Sequence, residues 1–200
     1  YLAAGLGLFP RSQARIRVDD IIVNGRPAKL ATRLCRGDQV AVAYCDPDPL
    51  TAIPEKMRLS VLHEDASVIV LDKPAGVVTH PGAGNRTGTL LNGVLAHCRC
   101  VREAFPDDPV RPGVVHRLDK DTSGVIIFAK SPEAHLTLAR QFALRRVRKR
   151  YVAVLDGTPP ATIGEVDLPI GRDVHDRTRF AAVAGGRTAL TRYHLLGTLA

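Results

Sequence analysis

The chain has no tryptophan, one methionine and few aromatic residues, 4% of 200 positions. A core so poor in aromatic rings must be mostly Val, Leu, Ile and Ala. Cysteine is scarce too: Cys35, Cys45, Cys98 and Cys100 are the four present. They do not form the spaced framework of a small secreted scaffold, so reduced thiols in a cytoplasm are expected. The pair Cys98-x-Cys100 beside His97 is short for a metal site and no second ligand pair follows it, so no metal is expected. No apolar run is long enough to span a bilayer, so no membrane partner is expected. The opening "YLAAGLGLFP" is apolar but brief, and no basic segment precedes it, which makes a poor signal peptide. Because the chain starts at Tyr1 rather than Met, further sequence is expected upstream.

What is present is positive charge. Lys and Arg number 28 against 20 Asp and Glu, a net +8. Such an excess favours a polyanionic partner, nucleic acid before an anionic membrane. With 45% hydrophobic residues, the chain can bury a core as one domain or two small ones.

Organisation follows from local signals. "SQARIRVDD" predicts a helix with Ser12 as its N-cap. "IIVNGRPAKL" predicts a strand, an Asn-Gly turn and a second extended piece, and "RGDQVAVAY" another turn and strand. Arg11, Arg15, Arg17, Arg26, Lys29, Arg33 and Arg36 make this first module basic, although scattered charges are usually a solvated face. "CDPDPLTAIPEK" holds three prolines and several acids without an apolar period, and predicts a linker. Then "LSVLHEDASVIVLDKPAGVVTH" predicts two strands around a turn and a Lys-Pro-Ala-Gly loop. "TLLNGVLAHC" is apolar on one helical face, and "REAFPDDPVRPG" predicts a loop. Ser131-Pro132-Glu133 marks a helix start, with Leu138 and Phe142 on one face and Arg145 and Arg146 near its end. "VRKRYVAVL" alternates as a strand, with Lys149 and Tyr151 on one face and Arg148 and Arg150 on the other. Short strands and turns follow in "GEVDLPIGRD" and "TRFAAVAGGRTALTRYHLL". The class is α+β, with mixed or antiparallel strands.

The segment "GVVHRLDKDTSGVIIFAK" (residues 113–130) carries the chemistry. Two apolar runs, Val114-Val115 and residues 125–129, flank His116, Arg117, Asp119, Lys120 and Asp121. A carboxylate there has an ordinary explanation: Asp119 could pair with Arg117 or cap the turn. On residue type alone, Tyr151 could equally be a half-buried strand aromatic. The Gly-rich "HPGAGN" (residues 80–85) lacks the Lys-Ser/Thr of a P-loop; an RNA backbone contact and an ordinary turn remain open for it.

His116, Arg117, Leu118 and Asp119, followed by Thr122, Ser123 and Gly124, resemble the HRLDxxTSG signature of the RluA-type pseudouridine synthases. "RRVRKRYVAVLDG" is similar to the family's K-x-Y strand at Lys149 and Tyr151, and "GEVDLPIGRDVHDRTRFAAVAGGRTALTRY" to its PIGR segment and later strands. "HPGAGN" resembles the RluD-like branch. "VNGRPAKLATRLCRGDQVAV" resembles the S4 RNA-binding module that often precedes the catalytic domain. The resemblance implies a mixed, largely antiparallel sheet with flanking helices and a central cleft. It divides the chain into an S4-like module over 1–45, a linker over 46–58 and a catalytic domain over 59–200. It implies isomerisation of uridine in large-subunit (23S) ribosomal RNA by a cytoplasmic monomer without cofactor or metal. Asp119 would be the essential carboxylate, and Tyr151 would stack on the uracil and stand placed to take the proton from C5. Arg117 would grip RNA or fill the space of an extruded nucleotide. His116 would be a structural hydrogen-bonding residue or an RNA contact. Arg148, Lys149 and Arg150 would join the RNA-binding surface.

The S4-like module is short against the family pattern. The GRTHQIR-type motif that continues the family's catalytic domain is not reached before Ala200. A fragment or truncated copy, inactive by itself, is therefore expected. A non-catalytic RNA-binding remnant is the alternative. A carboxylate glycosidase using Asp119 and Asp121 is disfavoured, because residues two apart on an extended chain sit too close to straddle a sugar.

Overall fold

The computed structural model describes residue 2 and residues 14–45, 50–82, 84–176 and 179–198. "YLAAGLGLFP", apart from Leu2, and the expected cap Ser12 lie outside the described residues. The chain divides into two compact units, Tyr1–Val147 and Arg148–Ala200.

The described elements of the first unit start with a single helical turn, α1 (Ala14–Arg17), followed by β1 (Val18–Val23), β2 (Arg26–Pro27) and β3 (Val40–Tyr44). These three strands form an antiparallel sheet in the order β2-β1-β3. The helix expected over "SQARIRVDD" is thus cut short. Val18, Asp19 and Asp20 belong to β1, because the β-branched run that follows pairs with β3 from Val18 onward. The Asn-Gly turn forms as expected: Asn24 and Gly25 have φ of 51° and 76°, the left-handed pair a two-residue hairpin requires.

The second sheet is β4 (Val61–Glu64), β5 (Val68–Lys73) and β6 (Gly124–Ala129), all antiparallel in the order β4-β5-β6. Between β5 and β6 the chain forms α2 (Leu90–His97) and α3 (Arg99–Ala104), and after β6 comes α4 (Pro132–Ala143). The core joins both layers: Ile69 and Leu71 of β5, Ile126 and Phe128 of β6, Leu91, Val94 and Leu95 of α2, and Val101 of α3. Each such side chain, fully buried, contributes about 1.5–3 kcal/mol of hydrophobic stabilisation. Part of "REAFPDDPVRPG", expected as loop throughout, is helical in α3, because burying Val101 rewards a further turn against the core.

Ser131 caps α4 as expected, its hydroxyl accepting from the Ala134 N–H (3.2 Å). Ala134, His135, Leu138, Ala139 and Phe142 form a half-buried stripe along it.

The stretch expected as a linker over 46–58 is bound along α2 from Ala52 onward; 46–49 lie outside the described residues. Ala52 is buried. The Ile53 carbonyl accepts from the buried Asn92 amide (2.6 Å), and the Glu55 N–H donates to the Asn92 carbonyl (2.9 Å). Gly93 lets Met57 lie on the helix: a Cβ there would fall 2.3 Å from Met57 Cγ.

The second unit holds β7 (Ile163–Asp167), β8 (Ile170–Arg172), β9 (Phe180–Ala182) and β10 (Leu190–His194), paired as two antiparallel ribbons, β7 with β10 and β8 with β9. Residues 147–155, expected as a strand, have no regular secondary structure. Alternation of side chains is not enough for a strand. Its N–H and C=O groups need a partner strand, and among the described residues none pairs with them.

Candidate active site

The loop from Val114 to Gly124 leaves β6's edge, carries Asp119, and returns as β6. Two sets of contacts hold it.

On one side stands Lys73, the last residue of β5. Period-two alternation puts Ile69, Leu71 and Lys73 on the same inward face. Lys73 is fully buried. Its ammonium donates to the carbonyls of Pro74 (2.9 Å), Val77 (2.7 Å) and Lys120 (3.0 Å), which uses all three of its protons. Burial pushes the Lys73 pKa down, and the carboxylates of Asp121 and then Asp119 oppose that shift. The Gly76 N–H also donates to the Lys120 carbonyl (2.8 Å). Next to it, the buried hydroxyl of Thr79 donates to the Leu118 carbonyl (2.8 Å) and accepts from the Leu118 N–H (3.3 Å). Both main-chain groups of the residue before Asp119 are thereby satisfied.

On the other side, segment 113–116 starts to pair with β6. The Ala129 N–H donates to the Gly113 carbonyl (2.9 Å), and Val114 forms a bridge with Phe128. Gly113 has φ of 71°, and a Cβ on it would meet the Ala129 carbonyl at 2.2 Å, so this approach needs glycine. The His116 ring then accepts from the Ile127 N–H at Nε2 (3.1 Å) and stacks on Phe142 of α4 at 4.7 Å.

Between these anchors Asp119 opens a turn closed by the Thr122 N–H on its carbonyl (3.1 Å). Its side chain is 83% exposed and meets Arg117 at 3.5 Å, a long contact between exposed groups. The result is a carboxylate held from the main chain and open to a large substrate, with an exposed cation beside it. Such a group can act as a nucleophile or a base.

The family model described as RNA pseudouridylate synthase matches residues 67–199. The chain belongs to that family. A Bacillus subtilis protein named as an uncharacterized RNA pseudouridine synthase is 39% identical over 198 residues, covering 98% of this chain and 65% of that one. A Neisseria meningitidis serogroup B protein named ribosomal large subunit pseudouridine synthase D is 42% identical over 183 residues, covering 90% of this chain and 47% of that one. The solved structure of human RNA pseudouridylate synthase domain containing 1 shares the fold, with a TM-score of 0.51 at 22% identity over 74% of this chain and 54% of that one. The chain spans about half to two thirds of the length of these curated relatives.

The family match encloses the predicted site residues His116, Arg117, Asp119, Arg148, Lys149, Arg150 and Tyr151. His116, Arg117 and Asp119 come together on the one loop. Arg148, Lys149, Arg150 and Tyr151 lie in the second unit, all exposed, Tyr151 at 63%. Sequence reasoning gave no role to Lys73 or Thr79. Lys73 had a readable signal, a lysine in register with the inward residues of an apolar strand. Thr79 had none. In "HPGAGN", Gly82 and Asn85 exchange both main-chain hydrogen bonds (2.9 and 3.1 Å), which is a closed turn.

Glu64, His97 and Cys98 bring three potential metal-ligand atoms within 4.8 Å of one another. Their donors are already spent on one another. The Glu64 carboxylate accepts from Lys130 Nζ (2.8 Å) and the Cys98 thiol (3.2 Å) and meets His97 Nε2 (2.8 Å). Burial, reinforced by Glu64, pushes the Cys98 thiol up to about 12. This is a hydrogen-bonded cluster around one carboxylate with an ammonium already in place. Among the described residues no helix is long and apolar enough to cross a membrane.

Proposed function

We propose that the protein isomerises uridine to pseudouridine in large-subunit ribosomal RNA, with Asp119 as the catalytic carboxylate. The observation that carries this reading is the presentation of Asp119: an exposed carboxylate on a loop fixed by Lys73, Thr79 and His116, inside the segment matched by the family model. The name of the Neisseria relative supports the choice of RNA.

In the reaction the C1′–N1 glycosidic bond breaks, the base turns, and a C1′–C5 bond forms. The C5 proton leaves and N1 ends protonated, so the atoms balance with no cofactor and no metal. Asp119 attacks the base or C1′, or takes a ribose proton; each uses an ionised, reachable carboxylate. Tyr151 stacks on the uracil and takes the C5 proton. Arg117, free to leave its long contact with Asp119, occupies the gap left by the extruded nucleotide. Arg148, Lys149 and Arg150 bind phosphates, and the β1–β3 module adds RNA affinity through Arg26, Lys29, Arg33 and Arg36. The enzyme acts as a monomer in the cytoplasm, where its RNA is made.

The test is incubation of the protein, extended through its gene to the length of its relatives, with unmodified large-subunit ribosomal RNA, followed by nuclease digestion and chromatography for pseudouridine. Pseudouridine with the protein and none with Asp119→Asn supports the reading. RNA binding without pseudouridine would leave a binding protein only, and would sink it.

A further inference from the structure

We infer that His116 positions Asp119 by standing in for a main-chain carbonyl, and that it does not touch RNA. The inference deepens the proposed function and rests on it for its kinetic arm.

The argument starts from the ladder between segment 113–116 and β6. Val114 lies opposite Phe128, and the Ala129 N–H is taken by the Gly113 carbonyl. Continued antiparallel pairing would offer the next inward N–H, that of Ile127, to a main-chain carbonyl of the same segment. It goes instead to Nε2 of His116. A ring nitrogen reaches the Ile127 N–H from a distance that a carbonyl on a departing chain cannot. The main chain can then leave the sheet at Arg117 while Ile127, on a core strand, keeps its hydrogen bond. An unpaired N–H there would cost about 1–3 kcal/mol.

This fixes the state of the ring. Nε2 accepts from a backbone donor, so it carries no proton, and the imidazole is neutral with its proton on Nδ1. One face lies on Phe142, with 21° between the rings. α4 adds a second contact to the same segment, since His135 Nε2 meets the Val114 carbonyl at 3.2 Å. A neutral ring stacked on Phe142 carries no charge to draw a phosphate. Three residues later stands Asp119. The departure angle set at His116 decides where that carboxylate points, and misplacement of a reacting group by about 1 Å can cost on the order of a hundredfold in rate. His116 is therefore a positioning residue.

Two variants separate its parts. His116→Gln keeps an acceptor oxygen near the place of Nε2. His116→Phe keeps an aromatic face for Phe142 and removes the acceptor. With the proposed RNA substrate, His116→Phe is expected to lower kcat about ten- to a hundredfold with KM and RNA Kd unchanged, and His116→Gln to recover most of that loss. Amide exchange read at Ile127 should be slow in the wild type and His116→Gln, and fast in His116→Phe. Weaker RNA binding in both variants with unchanged kcat at saturating RNA would overturn the inference in favour of an RNA contact. A protected Ile127 amide in His116→Phe would overturn it as well. Should the wild type make no pseudouridine on any RNA, the functional reading fails, while the exchange and affinity measurements still decide the role of His116.

Discussion

The ammonium of Lys73 donates to the carbonyl of Lys120 across 47 positions of sequence, one residue beyond Asp119 (3.0 Å). A strand end and a loop are thus joined through one buried charge. Lys73→Met fills a similar volume but leaves the carbonyls of Pro74, Val77 and Lys120 without their charged donor. Hydrogen bonds to a charged group are worth about 1.5–3 kcal/mol, and unsatisfied buried acceptors add their own desolvation cost. The expected outcome is a loss of about 3 kcal/mol or more in urea unfolding. Faster amide exchange at Gly76 and Thr122 should accompany it. An unfolding midpoint equal to wild type would show that the three contacts contribute nothing net.

Asp119→Asn should behave in the opposite way. The side chain is exposed and meets Arg117 only at 3.5 Å, so stability should change by no more than about 0.5 kcal/mol. Pseudouridine formation should fall to background while RNA affinity is retained. Normal turnover by the purified variant would remove Asp119 from the chemistry.

Glu64 gives a pH dependence that has nothing to do with catalysis. Its hydrogen bonds from Lys130, His97 and Cys98 hold its carboxyl down at about 2, against 4.5 ordinarily. A carboxylate depressed in the folded state contributes stability that is complete above its unfolded value and is lost as pH falls through the folded one. The thermal midpoint should therefore fall between about pH 4.5 and 2, more steeply than in Glu64→Gln, and the two curves should converge at the acid end. Parallel curves over that window would mean Glu64 is not depressed. Asp65, lowered to about 2 chiefly by the Ser67 and Val68 N–H groups, titrates in both proteins and cancels in the comparison.

The elements that were legible share one property: their causes are local. Asn24-Gly25 needs positive φ, Ser131-Pro132 caps a helix, and "VIVLDK" alternates. Each reads the same in the chain and in the fold. The Asp119 loop was legible through its motif. What the motif could not convey is how that loop is held, because the holders come from far away: Lys73 and Thr79 before it, Ile127 and Phe142 after it. The same distance hid the docking of Ile53, Glu55 and Met57 on α2, since prolines mark a break in regular structure and not freedom from packing. Residues 147–155 mislead in the other direction. Their alternation is real, but strand formation depends on a partner edge that no local pattern specifies.

Tyr151→Phe tests the proton transfer separately from stacking. The phenyl ring keeps the face that would lie against the uracil, and the 63% exposure of Tyr151 means that losing the hydroxyl should barely alter stability. If the hydroxyl takes the C5 proton, kcat should fall by about a hundredfold or more, the usual scale for removing a general base, with RNA affinity unchanged. A rate equal to wild type would leave Tyr151 as a platform for the base.

RNA affinity should depend steeply on salt. Arg145, Arg146, Arg148, Lys149 and Arg150 are all exposed, within a chain of net charge +8. Exposed cations so close in sequence repel one another, and a polyanion relieves that repulsion while releasing its own counterions. Each phosphate neutralised contributes about 0.7 to 0.9 to the slope of log K against log salt. Replacing Arg148 and Arg150 together with Ala should lower that slope by about 1.5 and weaken binding to all RNA sequences alike. It should leave kcat at saturating RNA within about twofold, since phosphate contacts position the RNA without entering the bond changes. The measurement is a titration by fluorescence anisotropy from low to physiological salt. A slope unchanged by the double substitution would move the phosphate contacts to other cations of the chain. A flat dependence in the wild type would reject electrostatic binding of RNA by this protein.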